Sequence, residues 1–420
     1  MDNQKAHFKV YMPYKIMMVI FTGFVITAFA LEPWQDVLDG FIRILSSRSV
    51  LVTDYIAVGG ISATLINISL VGTVIMLMLI FSRIRPNGAI IMGLWLTVGF
   101  AFFGKNILNM IPLIIGVRLY AWYCKEPFSN YALSSMLIAT ISPSVSEIRL
   151  LGTFPTPIQN CIGILFGICI GFIFPSISAA TVRVHNGYNL YNIGFAGGLV
   201  ATILVSILRS MGAELTTADI WSSGNNTILA VILYVLSLFL FCCGCFLGDR
   251  KKNLINYPKI LKHSGRLVDD FYYLYGDSVY INMGILCALS TTLVLLLGAD
   301  LTGPAIGGIF TIIGFGSFGK HIKNVVPLFI GAMISAYINN LDMYSPRNII
   351  TILFATGIAP IAGQFGFKWG IVAGFLHVNV ALHISYLNSG MNLYNNGFAA
   401  GFVALFLLPI ITIFRKDKLE

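Results

Sequence analysis

The stretch Asn189-Leu190-Tyr191-Asn192-Ile193-Gly194-Phe195-Ala196-Gly197-Gly198 returns as Asn392-Leu393-Tyr394-Asn395-Asn396-Gly397-Phe398-Ala399-Ala400-Gly401. A polar, aromatic head followed by a glycine-rich apolar run, written twice, marks an internal duplication. The register extends outward from it. Asn67, Gly88, Gly104-Lys105, Pro112 and Gly116 meet Asn282, Gly303, Gly319-Lys320, Pro327 and Gly331, always 215 positions later. Leu51-Val52-Thr53-Asp54-Tyr55 meets Leu267-Val268-Asp269-Asp270-Phe271 at 216, and Pro143 meets Pro360 at 217. The motif itself recurs at 203, so the second copy is shorter, mostly for want of the stretch Arg149 to Asn160. The duplication predicts two repeats, 1–212 and 213–420, within one integrated membrane domain.

The bilayer is the expected solvent. Of 420 residues 57% are hydrophobic and 10% charged, with mean hydropathy +0.84, far more apolar surface than a soluble domain can hide. Runs of about 20 apolar residues, the length that crosses about 30 Å of hydrocarbon, recur along the chain. The net charge of +9 sits in short loops and tails beside these runs. That placement fits cytoplasmic loops and excludes a nucleic-acid face. Seven cysteines, mainly in apolar runs and without a paired CxxC or a ligand spacing with His, read as small hydrophobes, not as a disulfide frame or zinc site. Lys5, Lys9 and Lys15 ahead of an apolar run ending Ala28-Phe29-Ala30 imitate a cleavable leader. The counterpart of that run, roughly Ala230 to Leu247, is internal, so a retained helix is expected.

Loop charges alternate between the copies. After its first run copy one carries Glu32, Asp36, Asp39 and Asp54 against Arg43 and Arg48, whereas copy two carries Arg250, Lys251, Lys252, Lys259, Lys262 and Arg266. The next loop reverses the bias, Arg83 and Arg85 facing only Asp300. The acidic connector Glu214 to Asp219 and the basic tail Arg415, Lys416, Lys418 close the pattern. Because Lys and Arg gather on the cytoplasmic side, the expectation is an all-α membrane protein of two inverted-topology repeats, with both termini cytoplasmic. About seven segments per half are expected, near 14–31, 55–82, 88–103, 107–123, 131–146, 157–182 and 193–210. Those at 88–103 and 131–146 are short enough to be half-spanning or broken. Val37 to Leu45, acidic on one side and apolar on the other, suits a helix lying flat in the interface.

Inverted repeats bring matching broken helices together near the bilayer midplane, where unwound backbone can hold a solute. The polar heads His185-Asn186-Gly187-Tyr188-Asn189 and Asn388-Ser389-Gly390-Met391-Asn392 predict such breaks. Asn189, Asn192, Asn392 and Asn395 then offer amides to a polar solute, with Tyr191 and Tyr394 lining the passage. The competing reading makes Asn189 and Asn392 helix caps at a membrane surface. Gly194 with Gly198, and Gly397 with Gly401, form GxxxG and favour close helix packing over ligand contact. Pro112 and Pro327 kink matching helices and free carbonyls. Among ionisable residues in apolar surroundings stand Lys105, Lys320, Arg118, Arg149 and Glu147. Glu147 is matched by Gln364, as a proton-coupling carboxylate in one half would be, but a Glu at a helix end in a surface pair with Arg149 is the favoured reading. His377 and His383 do not share a helix face as a metal pair would. No HExxH, GxSxG or clustered Cys, His and acid is present, so no enzyme, cofactor or metal is expected.

The doubled NLYNxGFAxG with the doubled FGKxxxN and its following Pro resembles an uncharacterised family of bacterial integral membrane proteins built on a domain of unknown function, often in two copies. The resemblance covers nearly the whole chain and implies a polytopic bacterial plasma-membrane protein. The plan of two halves with Asn-Gly turns, and Leu65-Ile66-Asn67-Ile68-Ser69-Leu70-Val71-Gly72, looks like urea channels; copy two, Tyr280-Ile281-Asn282-Met283-Gly284-Ile285, lacks the second Gly. The leading expectation is a transporter or channel for a small polar solute with a central site between the repeats. The other is a membrane-embedded enzyme or a non-transporting signalling or scaffold protein. The expected partners are the lipid bilayer and the solute; self-association as a homo-oligomer stays open.

Overall fold

The computed structural model describes residues 11–151, 153–266 and 269–414. Lys5, Lys9, Leu267, Val268 and the tail Arg415, Lys416, Lys418 lie outside them. Helices within the described residues fall into two matched series. Copy one has α1 (Met12–Leu31), α2 (Trp34–Ser46), α3 (Tyr55–Gly59), α4 (Ile61–Phe81), α5 (Gly88–Phe100), α6 (Ile107–Tyr123), α7 (Ala132–Leu137), α8 (Ser142–Leu150), α9 (Thr156–His185) and α10 (Asn192–Ser210). Copy two has α11 (Asn226–Phe246), α12 (Arg250–Ile260), α13 (Phe271–Tyr275), α14 (Ser278–Leu296), α15 (Gly303–Phe315), α16 (Ile322–Ile338), α17 (Pro346–Phe354), α18 (Ala359–Phe365), α19 (Phe367–Ile384) and α20 (Asn395–Phe414). Each helix of copy one thus has its counterpart ten labels later. Among the described residues nine helical stretches are long and apolar enough to cross a membrane, and the chain is an all-α membrane protein.

The segments expected from hydropathy all form helices, and two of the details were visible only in the coordinates. The span read at 55–82 divides at Gly60, whose φ of +90° suits glycine, into α3 and α4. The span read at 131–146 is broken by a 3₁₀ turn, Ile138–Ile141, before Pro143 enters α8 near its first turn. Copy two repeats that break at Ala355–Ile358 before Pro360. Proline lacks the N–H that a continuous helix would need and disfavours helical backbone just before it. The flat helix is α2, its apolar face packed on α3 and α4.

At 13 residues each, α5 and α15 reach about 20 Å, too short for a full crossing. They lie at the centre. Every residue of α15 and all of α5 but Ala89 are buried. The two pack against each other in opposite directions: a Cβ on Gly99 would come 3.0 Å from the Gly307 carbonyl oxygen, and one on Gly314 2.7 Å from Trp95 Cβ. Burial in protein permits the non-helical backbone that follows each, since unpaired peptide groups facing lipid would cost several kcal/mol apiece. α10 and α20 form the second self-matched pair. Around these cross-copy pairs, α6 packs on α9 as α16 packs on α19, and α1 on α4 as α11 on α14. Large apolar side chains such as Leu238, Ile203 and Phe406, each over 60% exposed, cover the outside.

Candidate functional site

Local chemistry explains how each half-helix ends. After α5 the chain turns through Gly104 (φ +71°) and after α15 through Gly319 (φ +111°), conformations that glycine adopts without strain. The freed carbonyls are collected by asparagines. Asn67 Nδ2 donates to the oxygens of Ala101 (2.8 Å) and Lys105 (3.0 Å), and Asn282 Nδ2 to those of Gly316 (2.8 Å) and Lys320 (2.7 Å). Asn109 and Asn324 do the same for Gly104 and Gly319, at 3.1 and 2.9 Å. The doubled FGKxxxN is therefore a device for ending a helix inside the protein.

The opposite ends of the half-helices are capped across the copies. Asp54 of copy one accepts from Gly303 N at the start of α15, and from Ser222 N and Oγ, at 3.0, 3.0 and 2.6 Å. Asp270 of copy two accepts from Gly88 N at the start of α5 at 3.0 Å. A carboxylate at a helix N-terminus meets both free N–H groups and the positive end of the dipole. Burial raises both carboxyls above the ordinary range, and these donors pull them back. Neither aspartate stood out in the sequence except by its matched position.

The NLYN heads cross over in the same manner. Leu190 N donates to Gly357 O (2.8 Å) in the broken helix of copy two, and Leu393 N to Thr140 O (2.9 Å) in that of copy one. Asn189 Nδ2 donates to Gly397 O and Asn392 Nδ2 to Gly194 O, each at 3.1 Å. Their Oδ1 atoms accept from Tyr191 N (2.8 Å) and Tyr394 N (3.1 Å). These two asparagines are buried staples between copies; they line neither cavity described below and cap no helix at a surface. The glycines act as packing surfaces, because a Cβ on Gly194 would meet Gly397 Cα at 3.0 Å, while Gly198 and Gly401 face the Phe398 and Phe195 rings. Pro112 and Pro327 lie away from the junction, against Gly167 of α9 and Gly370 of α19.

At the crossing the Tyr191 and Tyr394 rings meet with their centres 4.5 Å apart and their planes tilted by 37°. Tyr191 Oη lies 3.0 Å from Thr356 Oγ1, and Lys320 Nζ donates to Tyr191 Oη and, at 2.7 Å, to Thr356 Oγ1. The Tyr394 hydroxyl is buried without a hydrogen bond of ordinary geometry. Thr140, the partner of Thr356 in copy one, instead donates to Asn392 Oδ1 at 3.1 Å. Lys320 Nζ lies over the Tyr191 and Phe315 rings at 4.4 and 4.9 Å, and Lys105 Nζ over Phe100 at 5.4 Å. The threonines were missed in the sequence, though a hydroxyl kept at matching places in two apolar spans was their signal.

Two cavities have corresponding walls in the two copies, and the larger one reaches the tyrosine pair. One of about 430 Å³ is lined by Ser134, Leu190, Tyr191, Asn192, Phe318 and Tyr394, among others. The other, about 110 Å³, is lined by the counterparts Ile350, Leu393, Asn395 and Phe103. The second is narrowed by Thr217–Trp221 of the connector, whose backbone pairs with copy one through Val52 N to Ala218 O (2.9 Å) and Asp54 N to Ile220 O (3.1 Å). Asn192 is tied to Thr181 Oγ1 and His185 Nε2, both 2.9 Å from its Oδ1, and Asn395 to Asn388 Nδ2 at 2.7 Å. So of the expected lining residues Tyr191, Asn192, Tyr394 and Asn395 border a cavity. Glu147 is 4% exposed and gripped by Arg48, Nε to Oε1 at 3.0 Å and Nη2 to Oε2 at 2.6 Å. Arg149 bonds Asn160 instead, and Gln364 is half-buried in α18.

A family model described as "Protein of unknown function (DUF1576)" matches residues 34–210 and again 249–413. Neither a curated protein nor a solved structure matches the chain, and the likeness to urea channels is not shown. With two matches that together span most of its length, the chain belongs to the DUF1576 family of proteins of unknown function and carries that family's domain twice.

Proposed function

We propose that this chain is a transporter for a small polar solute in the bacterial plasma membrane, its two copies inserted in opposite orientations with both termini cytoplasmic. The observation that carries this reading is the pair of corresponding cavities of unequal size, about 430 and 110 Å³, built on the two NLYN motifs, the larger ending on the Tyr191–Tyr394 contact. Alternating access in an inverted duplication calls for matching cavities of unequal size, each copy taking in turn the conformation of its twin. The antiparallel α5 and α15, the swapped aspartate caps and the alternating loop charges support the inversion. An open channel would leave the crossing unblocked, so the carrier reading is favoured. Catalysis has no comparable support, because the distinctive polar groups occur in both halves where an enzyme needs one constellation.

The test is flux through reconstituted protein from a panel of charged and neutral solutes of a few heavy atoms. Saturable uptake that falls at least tenfold in Tyr191→Phe or Asn192→Ala, with the unfolding midpoint unchanged, is expected. Absence of flux for every solute would overturn it, as would flux indifferent to both substitutions.

A further inference from the structure

The junction holds two buried lysine amines for which the described residues supply no counter-ion. Lys105 and Lys320 are 1% and 0% exposed. Among the described residues no carboxylate lies within ion-pair distance of either: the three ion pairs are Arg48–Glu147, His263–Asp269 and Arg347–Asp219. The buried acids are already committed, Asp54 to the start of α15 and Glu147 to Arg48. Of the three donors on Lys320, two reach Tyr191 and Thr356. Lys105 Nζ faces the Phe100 ring and, among the described residues, donates no hydrogen bond. Rings and hydroxyls orient a cation without cancelling its charge, and cation–π contacts offset only part of its burial cost. The larger cavity ends at the same aromatic cage, because Tyr191 and Phe315, the two rings beneath Lys320 Nζ, form part of its wall.

We infer that this site binds a small monovalent anion, a carboxylate or an inorganic ion, which enters through the larger cavity and supplies the charge that Lys320 and Lys105 lack. A cation is excluded by two like charges, and a neutral solute leaves them unmet. Thr356 and Tyr191 present Lys320 to the anion, and the matched position of Lys105 gives the other copy an equivalent group. The binding site stands on the lysines alone; the anion's passage across the membrane rests on the transport reading.

Thermal unfolding of the full chain in detergent is measured with chloride, nitrate, formate and acetate at constant ionic strength, alongside flux of the same ions, urea and glycerol into liposomes. At least one anion is expected to raise the midpoint of the native protein, but not of Lys320→Met or Lys105→Met. Flux of that anion is expected to fall at least tenfold in both, with partial retention in Lys320→Arg. Lys320→Met is also expected to raise the midpoint in a buffer whose only anion is gluconate, too bulky for a site that takes small anions, where a merely structural lysine would lower it. Should a methionine variant fail to fold, Thr356→Val keeps the charge while removing a holder and is expected to weaken the anion shift. Equal shifts in native and variant proteins overturn the anion site, as does lysine-independent flux of urea or glycerol without anion flux, which leaves transport standing. Lysine-dependent stabilisation without flux keeps the site and overturns transport.

Discussion

Asn67 and Asn282 show how much one side chain can carry in this fold. Each satisfies two carbonyls that have no water to turn to. Asn67→Asp keeps the shape and loses the donor, so about 1–3 kcal/mol of stability should go for each carbonyl left unmet. Thermal unfolding in detergent checks this, and Asn282→Asp should match it because its geometry is the same. Gly194 is constrained differently. A Cβ there would lie 2.8 Å from Tyr394 Cγ, so Gly194→Val should cost about 1–3 kcal/mol through overpacking, measured in the same way. Both positions were legible as special in the sequence. Their work was not, since neither an Asn nor a Gly names its partner 34 or 200 residues away.

Helices and connectors set the next scale. The Arg347–Asp219 pair that links the connector to α17 is about 60% exposed on both sides. Such a pair contributes about 0–1 kcal/mol, so Arg347→Ala should leave the unfolding midpoint nearly unchanged. The connector is instead held by backbone bonds at Val52 and Asp54 and by Ser222 on Asp54. Asp54→Ala removes the cap of α15 together with that anchor and should cost about 1–2 kcal/mol or more. Under the proposed carrier mechanism a disulfide between Val52→Cys and Ala218→Cys should hold the smaller cavity shut, stop uptake and be reversed by reductant. Unimpeded flux in the cross-linked protein would count against a moving connector. The connector was read only as an acidic loop, because its pairing with Leu51–Asp54 depends on a partner strand of chain that no local pattern announces.

For the molecule as a whole, the proposed inversion places Ser46 and His263 on opposite faces. Single cysteines at these positions in whole cells should react differently with a membrane-impermeant maleimide, Ser46→Cys at once and His263→Cys only after permeabilisation. Labelling of both from one side would remove the basis for alternating access.

Duplication, membrane solvent, the order of helices and the breaks at Pro143 and ahead of the NLYN motifs were determined by sequence alone, whereas the division at Gly60 was not. Apolar length, proline and glycine position, and repeat register are properties of consecutive residues, and lipid forces their backbone bonds to close within the segment. Which polar groups meet was decided only in three dimensions. Asn189 and Asn192 sit three apart in one motif, yet one became a staple in the other copy and the other a cavity wall. The same is true of Lys320 beside Tyr191 and Thr356, and of Asp54 at the start of α15. Each contact joins the two copies or distant spans, and its energy depends on burial and direction, which exist only once the halves have packed.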